Sequence, residues 1–116
     1  MRYGLLESDI DCITEAVRSI EEIDECVLFG SRAKGNYKRG SDVDLAIKGD
    51  RITFSTVSHL HYWLNEESPM PYFFDVVHYE TISNPKLVEH IDRAGVSLFT
   101  RSSTKENSLA PVPVTE

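Results

Sequence analysis

The sequence predicts an α/β fold in which helices pack on a small mixed β-sheet, and three observations carry that prediction. Apolar residues recur at three- and four-residue steps in Ile10, Ile13, Val17 and Ile20, and again in Phe54, Val57, Leu60 and Leu64, which is the period of helices with one buried face. Short runs rich in apolar, aromatic and β-branched residues lie between and after them, at 26–29, 42–47 and 72–78, with the length and composition of strands. The two kinds of segment alternate along the chain, in the order expected of an α/β sandwich.

Each element has its own local signal. Ser8 precedes the first apolar stripe and with Asp11 resembles a capping box, so the first helix is predicted over 9–23. The run Cys26, Val27, Leu28, Phe29 is too short for a helix and is closed by Gly30, which favours a buried strand. From Asp42 to Ile47 acidic and apolar residues alternate at first, giving a strand with one acidic and one apolar face. A second helix over 53–66 ends before Pro69 and Pro71, and YFFDVVH at 72–78 reads as a strand. Asn84 as cap, Pro85 in the first turn and Gly95 as stop delimit a third helix, followed by a last strand at 96–100.

At 116 residues and 13.2 kDa the chain has room for one modest core, placed in residues 1–101. Beyond Arg101 the text SSTKENSLAPVPVTE is polar, without periodicity, and is predicted to be a disordered C-terminal tail, 102–116. No segment approaches the roughly 20 apolar residues of a membrane span, and the N-terminus lacks a signal-peptide pattern, so a cytoplasmic location is expected. Cys12 and Cys26 have no CxxC spacing and are expected to be reduced and partly buried. A net charge of −7 argues against direct binding of nucleic acid. The charge is unevenly spread: residues 1–30 hold eight acids against Arg2 and Arg18, whereas 31–40 hold Arg32, Lys34, Lys38 and Arg39 and no acid.

That basic loop ends in Asp42 and Asp44. Residues i and i+2 of a strand share a face, so the two carboxylates project together and repel unless a cation lies between them. Mg²⁺ suits the position because it takes oxygen ligands and keeps sites for water and phosphate. Asp75 interrupts an apolar strand where an unpartnered charge is costly, and if that strand lies beside 42–47 three carboxylates converge. Such a set could hold two ions about 3.5–4 Å apart. Gly30 permits a tight turn at a strand end, where the Ser31 hydroxyl and nearby amides can hold a triphosphate. Arg32 and Lys34 then supply positive charge to a departing pyrophosphate. Taken singly, a Gly-Ser turn, a D-x-D pair or basic loop residues are ordinarily structural. His59, His61, His78, Tyr62, Trp63 and Tyr37 are read as packing or surface residues, with His78 on the opposite face of its strand from Asp75.

Gly30-Ser31, ten intervening residues and Asp42-Val43-Asp44 resemble the G-S-x(10)-D-x-D signature of the DNA polymerase β-like nucleotidyltransferases. More narrowly, GSRAKG with SDVDLAI resembles the minimal nucleotidyltransferases (MNT) that accompany HEPN partners in prokaryotes. The resemblance implies a nucleotidyltransferase fold and divalent-metal-dependent transfer of a nucleoside monophosphate from a triphosphate to a hydroxyl, with ATP as substrate and Mg²⁺, or Mn²⁺, as cofactor. It implies metal binding by Asp42, Asp44 and Asp75, and phosphate binding by Gly30 and Ser31. It further implies an antitoxin that transfers AMP to a tyrosine of a HEPN ribonuclease toxin. The competing expectations are a non-catalytic antitoxin that acts by occlusion and a transferase acting on a small-molecule hydroxyl.

Overall fold

The computed structural model describes residues 1–101, and the predicted tail lies outside them. The elements run α1 (Glu7–Arg18), β1 (Glu25–Phe29), α2 (Ser31–Lys34), β2 (Val43–Lys48), α3 (Phe54–Tyr62), a π-helical turn (Trp63–Glu67), β3 (Phe74–His78), a 3-10 turn (Tyr79–Thr81), α4 (Pro85–Ala94) and β4 (Val96–Thr100). The sheet order is β3-β2-β1-β4. β1 pairs antiparallel with both β2 and β4, whereas β2 and β3 run parallel, so the sheet is mixed as expected.

Alternation along the strands divides the interior into two layers. Cys26, Leu28, Val43, Leu45, Ile47, Phe74 and Val76 point to one face and pack with Ile10, Ile13 and Val17 of α1 and with Leu60 of α3. Val27, Phe29 and Ala46 point to the other and are covered by Ile91 and Leu87 of α4. β2 is thus apolar on both faces over most of its length, as a central strand should be, and acidic only where it begins. The described residues contain no helix long and apolar enough to cross a membrane. Cys12 and Cys26 are both free thiols, and burial pushes Cys26 up to about 12.

Several boundaries differ from the sequence expectation for identifiable reasons. α1 ends at Arg18, not at residue 23, because the chain turns so that Ile23 can enter the core. The freed carbonyls of Arg18, Ile20 and Ile23 accept hydrogen bonds from the Arg101 guanidinium at 3.0–3.3 Å. Its N-terminus is capped differently from the predicted Ser8 and Asp11 pair: Leu6 N–H donates to the Asp9 carboxylate at 3.0 Å. The third strand begins at Phe74, two residues late, because Tyr72 turns away to donate its hydroxyl to that same Asp9 carboxylate at 2.8 Å.

α4 matches its predicted limits, with the Asn84 side chain accepting from Lys86 N–H at 2.9 Å and Pro85 in the first turn. Gly95 ends it for another reason than the left-handed conformation glycine usually supplies, since its φ is −68°. A Cβ at Gly95 would collide with the Ile91 carbonyl and come within 2.5 Å of Val27 Cγ1. Glycine is needed for the close approach of α4 to β1. We predict that Gly95→Ala lowers unfolding stability by about 1–3 kcal/mol, the usual range for overpacking. An unchanged melting temperature would contradict this close-packing assignment.

Candidate active site

Register decides the site. Asp44 of β2 lies directly opposite Asp75 of β3 and, on its other side, opposite Phe29, the last residue of β1. The two aspartates share the α4 face of the sheet, at the end where β1 finishes and β2 and β3 begin. Adjacent strands are spaced about 4.8 Å apart, so the carboxylates are neighbours. Asp42 immediately precedes β2 and is exposed, as is Asp75, while Asp44 is half-buried. Partial burial, then the charge of Asp75, then that of Asp42, push the Asp44 carboxyl up to about 6, against the opposing attraction of Arg32. Of the three acids expected to converge, Asp44 and Asp75 are register partners, and Asp42 is close enough for its charge to act on Asp44.

Gly30 completes the floor. It follows Phe29 with φ 79° and ψ −156°, a backbone conformation open to glycine, and a Cβ there would collide with Asp44 Oδ2. The backbone thus passes against the carboxylate with nothing between. Ser31 opens α2 immediately afterwards, and Lys34 closes it on the exposed side. The Gly30 N–H is taken by His90 of α4, which accepts it through Nε2 at 2.9 Å.

Arg32 does not occupy the place expected of a phosphate ligand. Its side chain is buried, 2% exposed, and donates through Nε and Nη2 to the Ser41 carbonyl at 3.0 and 2.8 Å and through Nη1 to the Tyr3 carbonyl at 3.0 Å. The guanidinium lies over the rings of Tyr37 and Tyr72, 5.4 and 5.0 Å from their centroids. It ties α2 to Ser41, directly ahead of Asp42, and so fixes both ends of the basic loop. An i-to-i+2 spacing and a charge count do not distinguish an inward guanidinium from an outward one.

Two positioning contacts had little sequence signal. The π-helical turn after α3 presents Asn65 to the outer edge of β3, where it accepts from Phe74 N–H at 2.7 Å and donates to the Phe74 carbonyl at 2.9 Å. It thereby stands in for a missing neighbouring strand beside the residue before Asp75. His90 is the other; its only sequence hint is a position next to Ile91 on the apolar side of α4. His78 faces away from Asp75 as expected, His61 stacks edge-on against Phe73, and Trp63 packs on the α1 and α3 core.

The donors suit a hard divalent cation: all are carboxylate oxygens, and burial together with their mutual repulsion raises the proton affinity of Asp44. Among the described residues, no three or more His, Cys, Asp or Glu side chains are grouped so as to hold a metal ion by themselves. An ion held by Asp42, Asp44 and Asp75 would accordingly complete its shell with phosphate oxygens and water.

Two predictions test this geometry. In metal-free buffer at pH 7.5, Asp44→Asn should stabilise the fold by on the order of 1 kcal/mol, reduced from the full linkage value because the carboxylate remains partly in water. The raised carboxyl pKa means the folded state holds this proton more tightly than the unfolded chain, so the penalty is absent below about 3.8 and complete above about 6. The advantage of Asn should appear across that window in a thermal-melt pH series; a pH-independent difference would contradict the raised proton affinity of Asp44 in the folded state. Arg32→Lys should cost about 2–4 kcal/mol, because an ammonium cannot reproduce the fork to two carbonyls. Wild-type thermal stability in this variant would contradict the clamp.

Comparison with known proteins identifies the family and the fold. The family model described as Polymerase beta, Nucleotidyltransferase matches residues 11–104. No curated protein sequence matches the chain at a significant level. Among solved structures, a chain of a toxin–antitoxin crystal structure with AMP-PNP is similar over 84% of this chain and 78% of its own, with TM-score 0.68 and 21% identity. A chain of the MntA-HepT toxin–antitoxin crystal structure is similar over 83% and 74%, with TM-score 0.64 and 18% identity. At these identities the structural likeness speaks for the fold. The family match spans most of the chain and contains the Gly30-Ser31 turn and all three aspartates, and the chain belongs to the polymerase β nucleotidyltransferase family.

Proposed function

We propose that this protein is a metal-dependent nucleotidyltransferase of the MNT type, an antitoxin that transfers AMP from ATP to a tyrosine hydroxyl of a HEPN ribonuclease toxin and so inactivates it. The observation that carries the reading is the register pairing of Asp44 with Asp75 beside the Gly30-Ser31 turn, which supports ion binding by the aspartates and phosphate binding at the turn. Family membership supports nucleotidyl transfer, and the toxin–antitoxin structures of like fold, one holding AMP-PNP, support ATP and a protein acceptor.

In this reading the tyrosine oxygen forms a bond to the α-phosphorus of ATP. The bond from that phosphorus to the bridging oxygen breaks, and pyrophosphate leaves with the electron pair. Asp75, exposed towards an arriving acceptor, takes the hydroxyl proton. Asp42, Asp44 and Asp75 would hold two divalent ions, Mg²⁺ or Mn²⁺, whose chemistry is to lower the hydroxyl pKa and neutralise charge on the leaving group. Ser31 holds the phosphates through its hydroxyl, and Lys34 meets the pyrophosphate from the open side of α2. Arg32 acts from behind, by shaping the loop that carries these groups.

Incubation with α-labelled ATP and Mg²⁺, with and without the HEPN partner, followed by intact mass of both chains, tests the proposal. We expect one or more AMP units on the partner, lost with Asp42→Asn and Asp44→Asn combined. A stable complex that silences the partner without any adduct would replace transfer with occlusion.

A further inference from the structure

We propose that His90 is a positioning residue for nucleotidyl transfer, pinning the Gly30-Ser31 turn in the shape that receives the triphosphate; the proposal rests on the nucleotidyltransferase reading above. Gly30 is gripped from two sides. The Asp44 carboxylate fills the space where a Cβ would stand, and the His90 imidazole accepts the amide hydrogen at 2.9 Å across 60 residues of sequence. The imidazole is itself held: its ring meets Phe29 edge-on, with centroids 6.1 Å apart and planes at 73°, and the next residue, Ile91, is buried against Val27, Phe29 and Ala46. Packing of α4 on the sheet therefore fixes where Nε2 points.

The tether matters because of what Gly30 is. Glycine in this conformation has many alternatives at little cost, and without an external partner for its amide the turn can relax among them. Holding the amide removes that freedom before substrate arrives, which is preorganisation and favours binding by lowering its entropic cost. The bond requires a lone pair on Nε2, so the imidazole is neutral with its proton on Nδ1. The Gly30 amide, already engaged, is not offered to phosphate; the Ser31 hydroxyl that follows it is. His90 accordingly acts through the turn and does not touch the nucleotide.

Two measurements on the full chain test this. A through-hydrogen-bond ¹⁵N–¹⁵N coupling between the Gly30 amide and His90 Nε2 should be present and should persist when a non-hydrolysable ATP analogue and Mg²⁺ are added. Its loss on adding nucleotide would overturn the proposal by making His90 a competitor that phosphate displaces. In parallel, affinity for the analogue and transfer kinetics are compared for wild type, His90→Phe and His90→Gln. The Phe variant keeps the ring but loses the acceptor and should bind about 5–10-fold more weakly, with KM for ATP raised and kcat little changed. Gln supplies an acceptor oxygen and should recover most of that loss. Equal affinity in wild type and Phe, or equal loss in Phe and Gln, would overturn the positioning role alone. Failure of the wild type itself to bind nucleotide would instead defeat the nucleotidyltransferase reading and this proposal with it.

Discussion

Two carboxylates set opposite each other on adjacent parallel strands repel, and the surroundings of β2 and β3 hold them there nonetheless. β2 is anchored by Val43, Leu45 and Ile47 on one face and Ala46 on the other, all fully buried, so Asp44 cannot slide out of register without pulling apolar side chains into water. β3 is an edge strand, and Asn65 pairs both backbone groups of Phe74 on its open side. Partial burial, and after it the charges of Asp75 and Asp42, raise the proton affinity of Asp44, and a divalent cation between the carboxylates would oppose that rise. Stability is given up where these carboxylates meet, and strongly perturbed proton affinities of this kind cluster at functional sites.

The rest of the site is arranged about this pair by elements drawn from distant parts of the chain. β1 ends opposite Asp44, so the turn that follows is delivered to the carboxylate by antiparallel pairing alone. The basic loop leaves that turn and returns to Asp42 under the control of Arg32, whose three backbone hydrogen bonds and two aromatic neighbours make it a structural hub. α4 closes the opposite side, bringing both an apolar cover and an imidazole acceptor to the end of β1. A small sheet thus suffices to bring paired carboxylates, a glycine turn and an exposed basic residue to one end.

Much of this was legible in the sequence because it depends on local periodicity. The strand at 96–100 and the helix between Asn84 and Gly95 follow from turn chemistry and apolar spacing, and β2 begins and ends within one residue of its alternating pattern. Asp75 stood out because a charge inside FFDVV reads as costly without a partner, but the structure leaves it exposed, and what sets it beside Asp44 is the register of β2 with β3. What was not legible depends on contacts between remote segments. The early end of α1 is matched by Arg101, the late start of β3 by a hydrogen bond to Asp9, and the inward turn of Arg32 by carbonyls at Tyr3 and Ser41. His90 and Asn65 act on backbone groups whose identity emerges only once the sheet is assembled. Sequence spacing specifies which residue types can form a site; tertiary hydrogen bonding decides which of them face it.

The most direct measurement of the central claim is Mn²⁺ electron paramagnetic resonance of the full chain with a non-hydrolysable ATP analogue, in wild type, Asp44→Asn and Asp75→Asn. The account predicts nucleotide-dependent Mn²⁺ binding by the wild type, approaching two ions per chain, and its loss or marked weakening in either variant. Binding that is unchanged in both, or no bound Mn²⁺ in the presence of nucleotide, would contradict the assignment of the paired aspartates as the ion-holding centre of the site.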